Sequence, residues 1–326
     1  MPAIITALCK TVSPRVGFTL TNGIMATHAV FARAGALISI VLLAACNTIP
    51  AEYEPLTAVQ QQAAAPIRFL LTFDDGPSAS TWFGNPTASI LDDLAQNPVQ
   101  PGIKAAFFVQ TRATNGGGTP LGKLLQQREQ DSGHVLGLHT STPGHSDQVS
   151  MQPAKLDEVI ANGVADLTAI AGGVPPLFQR PPFWDFNERT FLAYQKHGLH
   201  VILTDLSAND GKIYGFNASF TRRAHLRREL ADVRQRIAQQ GLPIVDGVIP
   251  VIVTFHDINR YSARHLVEYL QILVDSARDL ALPLAAHPFY DDRAALQRAL
   301  MARAVQDGRQ PARLPGIWNW ITPHRE

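Results

Sequence analysis

A chain of 326 residues that is 46% hydrophobic and 17% charged has an ordinary globular composition, with ample apolar residues for a large core. A formal net charge of +1 leaves no electrostatic footprint for nucleic acid, and none is expected as a partner. Two cysteines, Cys9 and Cys46, exclude a disulfide framework.

Taken in chain order, residues 1–45 read as a signal segment. An apolar stretch from Ala34 to Ala45 follows Arg33 and ends Leu43-Ala44-Ala45-Cys46. It is too short to span a bilayer comfortably and carries small residues before a cleavage point. The ending resembles the bacterial lipoprotein signal, in which cleavage precedes the cysteine and the thiol is lipidated. That resemblance implies lipidation at Cys46, export, and a membrane anchor on the periplasmic side of the cell envelope. A plain signal peptide and an uncleaved anchor are the alternatives. Met25 gives a signal of ordinary length and is the expected start. Residues 46–65, polar and rich in Ala, Gln and Pro, read as a tether.

From Pro66 short apolar runs alternate with longer helical stretches. "IRFLLTF", "IKAAFFVQ", "HVLGLHT", "PLFQRPP", "HVILTDL" and "IPVIVTFHD" are the strand candidates. Between them lie "NPTASILDDLAQ", "TPLGKLLQQREQDSG", "PAKLDEVIANGVADLTAIAGG", "NERTFLAYQKHG" and the Arg-rich "TRRAHLRRELADVRQR", the last reading as a solvated helix face. Asn85-Pro86 and Thr119-Pro120 supply helix starts. This alternation implies an α/β fold with a parallel sheet and helices outside, open or closed into a barrel. "NGGGTP" lacks the Lys-Ser/Thr of a phosphate loop and reads as a loop. The final stretch, which includes "IWNW", runs from a helix into an aromatic tail without assigned chemistry.

The polar residues fall at the carboxyl ends of the predicted strands: Asp74 and Asp75, His139, Arg180, Asp205, and His256-Asp257. In a parallel sheet those ends form one face, where active sites assemble. Two adjacent carboxylates ending a buried strand repel each other unless something nearby uses them. His139, His145 and one carboxylate make a metal set suited to zinc or a related divalent ion, with positions left open for water. The other carboxylate is then placed to accept a proton from water. Arg180 is placed to pair with that base, and His256 to protonate a leaving amine with an aspartate tuning it. The set describes amide or ester hydrolysis.

These residues resemble those of the polysaccharide deacetylases, the NodB-homology or carbohydrate esterase family 4 enzymes, from Phe69 to Asp257. "TFDDGP" is similar to the first family motif, "HTSTPGHS" to the second, "RPPF" to the third, "DLSAND" stands where the fourth is expected, and "FHD" resembles the fifth. The resemblance implies a distorted (β/α) barrel and one divalent metal, zinc foremost, with cobalt or nickel as alternatives. It implies Asp74 as catalytic base and Asp75, His139 and His145 as metal ligands. Arg180 orients the base, the backbone amide near Phe183 binds the oxyanion, and His256 is the general acid. Asp210 is the expected partner of His256, with Asp205 as second choice.

The sequence departs from the family pattern in three places. His139 and His145 are six apart instead of four, so the intervening loop must bulge to align them, and His134 is the nearest alternative ligand. Gly211 replaces the tryptophan of the fourth motif and Phe255 the leucine of the fifth. Trp184 is expected to supply an aromatic surface for sugar instead. The deacetylase domain is expected over residues 66–290, followed by a helix and tail over 291–326. The implied substrate is an acetylated, N-acetylglucosamine-containing polysaccharide of the envelope or exported. A non-carbohydrate amide hydrolase and an inactive carbohydrate-binding lipoprotein are the alternatives.

Overall fold

The computed structural model describes residues 65–210, 221–309 and Leu314. The signal segment, Cys46, the tether up to residue 64 and "IWNW" lie outside the described residues. None of the described helices is long and apolar enough to cross a membrane.

The sheet is built around β1 (Ile67–Asp74), whose residues are almost all buried because both of its faces are covered. One edge of β1 pairs along its whole length with β7 (Ile249–His256), from Ile67↔Ile249 to Asp74↔His256. Its other edge is shared. β8 (Leu284–Phe289) takes Ile67 and Phe69, and β2 (Ala106–Gln110) takes Thr72 to Asp74. From β2 the sheet continues through β3 (Val135–Thr140), β4 (Phe178–Gln179) and β5 (His200–Val201), while β6 (Leu206–Ser207) lies beyond β7. Every pairing among these strands is parallel.

The short strands β5 and β6 are two ends of one passage. Ile202 N–H still donates to Gln179 of β4, whereas Asp205 N–H already donates to Ile252 of β7. Within residues 202–205 the chain leaves one wall and joins the other, and this crossing closes the curled sheet into a distorted barrel. The predicted strand "HVILTDL" is therefore broken in its middle, and "PLFQRPP" contracts to Phe178–Gln179 between its prolines.

Helices α1 (Pro86–Ala95), α2 (Pro120–Asp131), α3 (Pro153–Ile170), α4 (Glu188–Lys196), α5 (Arg222–Ala238), α6 (Arg260–Asp279) and α7 (Arg293–Ala302) connect or follow the strands. The expected starts hold: Asn85 accepts from Ala88 N–H and Thr119 from Gly122 N–H, each ahead of a first-turn proline. The Arg-rich α5 is only partly a solvated face. Arg222 and Arg223 reach Glu268 and Asp275 on α6, and Arg236 pairs with the buried Asp205. Two elements are absent from the sequence reading, α6 and β8, the latter carrying Pro288 and little β-branched character.

Strand alternation sorts the apolar residues into two cores. Phe69, Leu71 and Phe73 of β1, Phe107 and Val109 of β2, and Val251, Val253 and Phe255 of β7 point to the outer core beneath the helices. Leu70, Phe108, Phe178, Ile202 and Ile252 point inward, where Leu296, Ala299 and Leu300 of α7 join them. Each such fully buried side chain contributes about 1.5–3 kcal/mol. On that same inward face, one step toward the carboxyl ends, the apolar filling gives way to Thr72, Thr254 and Arg180. Asp74 and His256 follow one step further on, at the mouth.

Candidate active site

Arg180 is the largest fully buried side chain among the described residues. Its Nη1 donates to Asp74 Oδ1 at 2.8 Å, to Thr72 Oγ1 at 2.7 Å and to Thr254 Oγ1 at 3.1 Å. Its Nε and Nη2 donate to the carbonyls of Ile202 and Leu203, which the crossing segment leaves without ladder partners. The guanidinium lies over the Phe108 ring, 4.2 Å from its centroid. Burial lowers the Arg180 pKa from its ordinary value, while Asp74 works against the shift. Removing Asp74 outright would strand a buried charge at a cost of about 3–5 kcal/mol.

The backbone carbonyl of Arg180 reaches the metal set. His139 Nδ1 lies 2.7 Å from it. A carbonyl only accepts, so Nδ1 carries the hydrogen and the Nε2 lone pair faces the mouth. His139 is also the extra residue of a β-bulge, since β2 and β3 pair Val109↔Leu138 and then Gln110↔Thr140. Bulges re-aim side chains.

His139 Nε2 and His145 Nε2 are 3.1 Å apart, and each is 3.4 Å from Asp75 Oδ1. A tetrahedral ion with bonds of about 2.05 Å separates its donor atoms by about 3.3 Å. The three residues therefore fit one ion, and two imidazoles with a carboxylate suit a zinc-like metal. The six-residue spacing is absorbed by the loop between the histidines. The hydroxyls of Thr140 and Thr142 bond each other at 2.9 Å, Thr142 Oγ1 donates to Gly144 O, and Pro143 O accepts from Thr114 N–H. The alternative, His134, takes no part. It is buried away from the mouth, its Nδ1 accepts from Ala105 N–H, and burial lowers its pKa to about 3.

Asp75 takes a positive φ of 72°, which turns its side chain out of line with β1. Gln110 Nε2 donates to its Oδ1 at 2.5 Å. On its other side, Asp75 Oδ2 is 3.9 Å from His256 Nε2.

His256 is held from behind by Asp210. Asp210 Oδ1 is 2.9 Å from His256 Nδ1, and Oδ2 accepts from His256 N–H and from the Ser262 hydroxyl. Burial pulls the imidazole down, but Asp210, Asp75 and Asp74 outweigh it and raise the pKa to about 9. Asp205 is not an alternative partner. It is taken up by Arg236, Arg303 and Ile252 N–H.

Phe183 is half exposed, and its ring meets His145 edge-on with 4.1 Å between centroids. Trp184, expected to offer a face to sugar, turns inward and is 7% exposed. The sequence reading missed Gln110 and the Thr72/Thr254 pair beneath Arg180, and it placed Asp257 at its strand end without giving it a role. The period-2 alternation behind Asp74 and His256 marks the two threonines. Asp257 is wholly buried behind the mouth. It accepts from the Thr87 hydroxyl at 2.7 Å and lies where a side chain at Gly76 would meet both its oxygens at 2.0 Å. Burial raises its pKa to about 7.

A family model of polysaccharide deacetylases matches residues 62–202, the stretch that carries Asp74, Asp75, His139, His145 and Arg180. Over this stretch the chain is similar to the polysaccharide deacetylase family. A chitin deacetylase from a Pestalotiopsis species is 30% identical over 156 residues, 48% of this chain and 47% of that one. An uncharacterized 30.6 kDa protein of Geobacillus stearothermophilus is 30% identical over 146 residues, 44% of this chain and 48% of its own. The chain thus spans about half the length of the curated relatives it matches. The chitin deacetylase of the fungal pathogen Colletotrichum lindemuthianum is similar in structure, with a TM-score of 0.49 and 23% identity, over 68% of this chain and 85% of that one. The family-model match stops before Asp210 and His256, so the His256 side of the mouth comes from the chain beyond it.

Two outcomes test this geometry. His145→Ala is expected to weaken binding of added zinc by more than the roughly 10–100-fold that losing a supporting hydrogen bond costs, measured by titration against a chelating indicator. Unchanged affinity removes His145 from the set. Asp210→Asn takes away a charge that stabilises the His256 imidazolium, so His256 loses its proton at lower pH. The alkaline limb of the kcat–pH profile is then expected to move down by at least about one unit, and an unmoved limb separates Asp210 from the acid.

Proposed function

We propose that this protein is a metal-dependent hydrolase that removes acetyl groups from an exported or cell-envelope polysaccharide. N-acetyl groups on N-acetylglucosamine-containing chains are the first expectation and O-acetyl groups the second. The observation that carries this reading is the convergence at one barrel mouth of three groups: the Asp75–His139–His145 donors, the Arg180-paired Asp74, and the Asp210-backed His256. The family-model match over residues 62–202 supports the reaction class.

A divalent ion held by Asp75, His139 and His145 supplies, when bound, a Lewis acid for the acetyl carbonyl and for water. The chain's own groups handle the protons. Asp74, fixed by Arg180 and unable to swing away, accepts the proton of the attacking water. His256, charged at neutral pH, gives its Nε2 proton to the departing nitrogen while Asp210 holds the ring in place. Acetate and a free amine leave, and one proton has passed in and one out. The Phe183 backbone amide is the proposed donor to the oxyanion.

Acetate release from N-acetylglucosamine oligomers, peptidoglycan and acetylated xylan, with and without chelator, tests the reading. Release from one of these and its loss on chelation are expected. Release from none overturns the carbohydrate assignment. Asp74→Asn is expected to keep its metal yet lose about 10²–10⁴ of kcat; wild-type turnover in that variant would end the base role.

We further propose that Cys46 is lipidated and anchors the protein to the envelope, a reading supported by the Leu-Ala-Ala-Cys ending alone. Cys46→Ser is expected to move the protein from the membrane to the soluble fraction. Unchanged membrane association counts against the anchor.

A further inference from the structure

Among the described residues the two most exposed large hydrophobic side chains are neighbours, Trp82 at 76% and Phe83 at 80%. They stand at the tip of the loop between β1 and α1, with ring centroids 5.6 Å apart. Phe83 takes a φ of 52°, a region a bulky residue rarely enters, and it does so without gaining burial. The fold draws little from either ring, and an exposed apolar patch with a polar rim marks an interaction site.

The loop is tied down at its base. Asn85 donates to the carbonyls of Ser78 and Ser80 while its oxygen caps α1. Ala79 N–H donates to Asn115 O, and Arg260 Nη2 donates to Ser80 Oγ at 2.6 Å. These ties place the loop on the mouth. It leaves β1 at Asp74, its anchored Ser78 follows Asp75 by three residues, and Arg260 opens α6 four residues after His256. The aromatic tip therefore rises from the proton-donor side of the rim, while the exposed Phe183 stands on the β4 side against His145.

We infer that Trp82, with Phe83 beside it, forms a sugar-stacking platform that holds a pyranose ring of the polymer next to the ring being deacetylated. The inference rests on the polysaccharide reading above. A pyranose presents an apolar C–H face edged by hydroxyls. The platform presents the complement, an aromatic pair on a loop whose base carries the polar Ser78, Ser80, Asn85 and Arg260. It takes the role that the buried Trp184 cannot fill. Trp82 is a specificity-determining residue, acting on the length of substrate engaged and not on the bond broken.

The test uses the full chain and the oligosaccharide series that wild type deacetylates, from one ring to six, beside a small acetyl ester. Trp82→Ala is expected to raise KM about tenfold for the longer oligomers, with kcat, melting temperature and turnover of the ester unchanged. Trp82→Phe is expected to restore most of the loss. An unchanged KM at every length overturns the platform while leaving the deacetylase reading intact. An equal loss on the ester overturns it in favour of a structural role. Wild type that binds anionic lipid vesicles through Trp82, with no change in oligomer KM in the variant, makes the tip a membrane contact and overturns it as well. Failure of wild type to release acetate from any carbohydrate overturns the deacetylase reading, and the platform with it.

Discussion

The structure depends on one buried cation. Arg180 sits where the inward apolar filling ends, and its donors are spent on three different tasks. Two go to the carbonyls of the crossing segment, without which the passage between the barrel walls would expose unpaired backbone to a dry interior. Others bind Thr72 and Thr254, which face each other across the β1–β7 ladder. One pairs with Asp74. A guanidinium in such a place is costly to desolvate, and only a complete set of partners makes it tolerable. Barrel closure and the placement of Asp74 are consequently a single packing problem with a single solution.

The same residue joins the two chemical parts of the mouth. Its side chain fixes Asp74 and its carbonyl fixes the tautomer of His139. The His256 side is built independently, by Asp210 wedged between the His256 backbone, the His256 ring and Ser262. Asp75 stands between, with one oxygen toward the imidazole pair and the other toward His256. An ion held by these donors would offset the repulsion between the neighbouring carboxylates.

Much of this was legible in the sequence because strand ends announce themselves. Apolar runs closing on Asp74-Asp75, His139, Arg180 and His256 put those residues on one face before any contact was known, and the helix starts at Asn85 and Thr119 are local signals that tertiary packing did not overrule. What sequence could not resolve was set by long-range geometry. The motif order ranks Asp210 ahead of Asp205, but the reason is long-range. Asp205, where the crossing joins β7, is taken up by Arg236, Arg303 and Ile252 N–H, while Asp210, beyond β6, meets the His256 backbone and ring. Trp184 was expected at the surface because it follows the third motif, yet the turn at Pro182–Trp184 carries it inward. β8 escaped notice because its pairing with β1, and not its own residues, makes it a strand. The bulge at His139 is invisible without its partner strand. The histidine spacing could be flagged as irregular, but only the loop's own hydrogen bonds show how six residues do the work of four.

The pairing of β1 with β7 has a consequence for how the chain acquires its shape. β1 is the first described strand in sequence and the central one in space, and its fully paired edge is matched by residues some 180 positions later. Its other edge is split between β2 and the still later β8. Early in synthesis this largely buried strand therefore has little to lie against. Such contacts close large loops before they are repaid, and chains dominated by them fold slowly. The central strand is born first and sheltered last, which makes the interval before β7 arrives the period when this chain most needs protection from self-association.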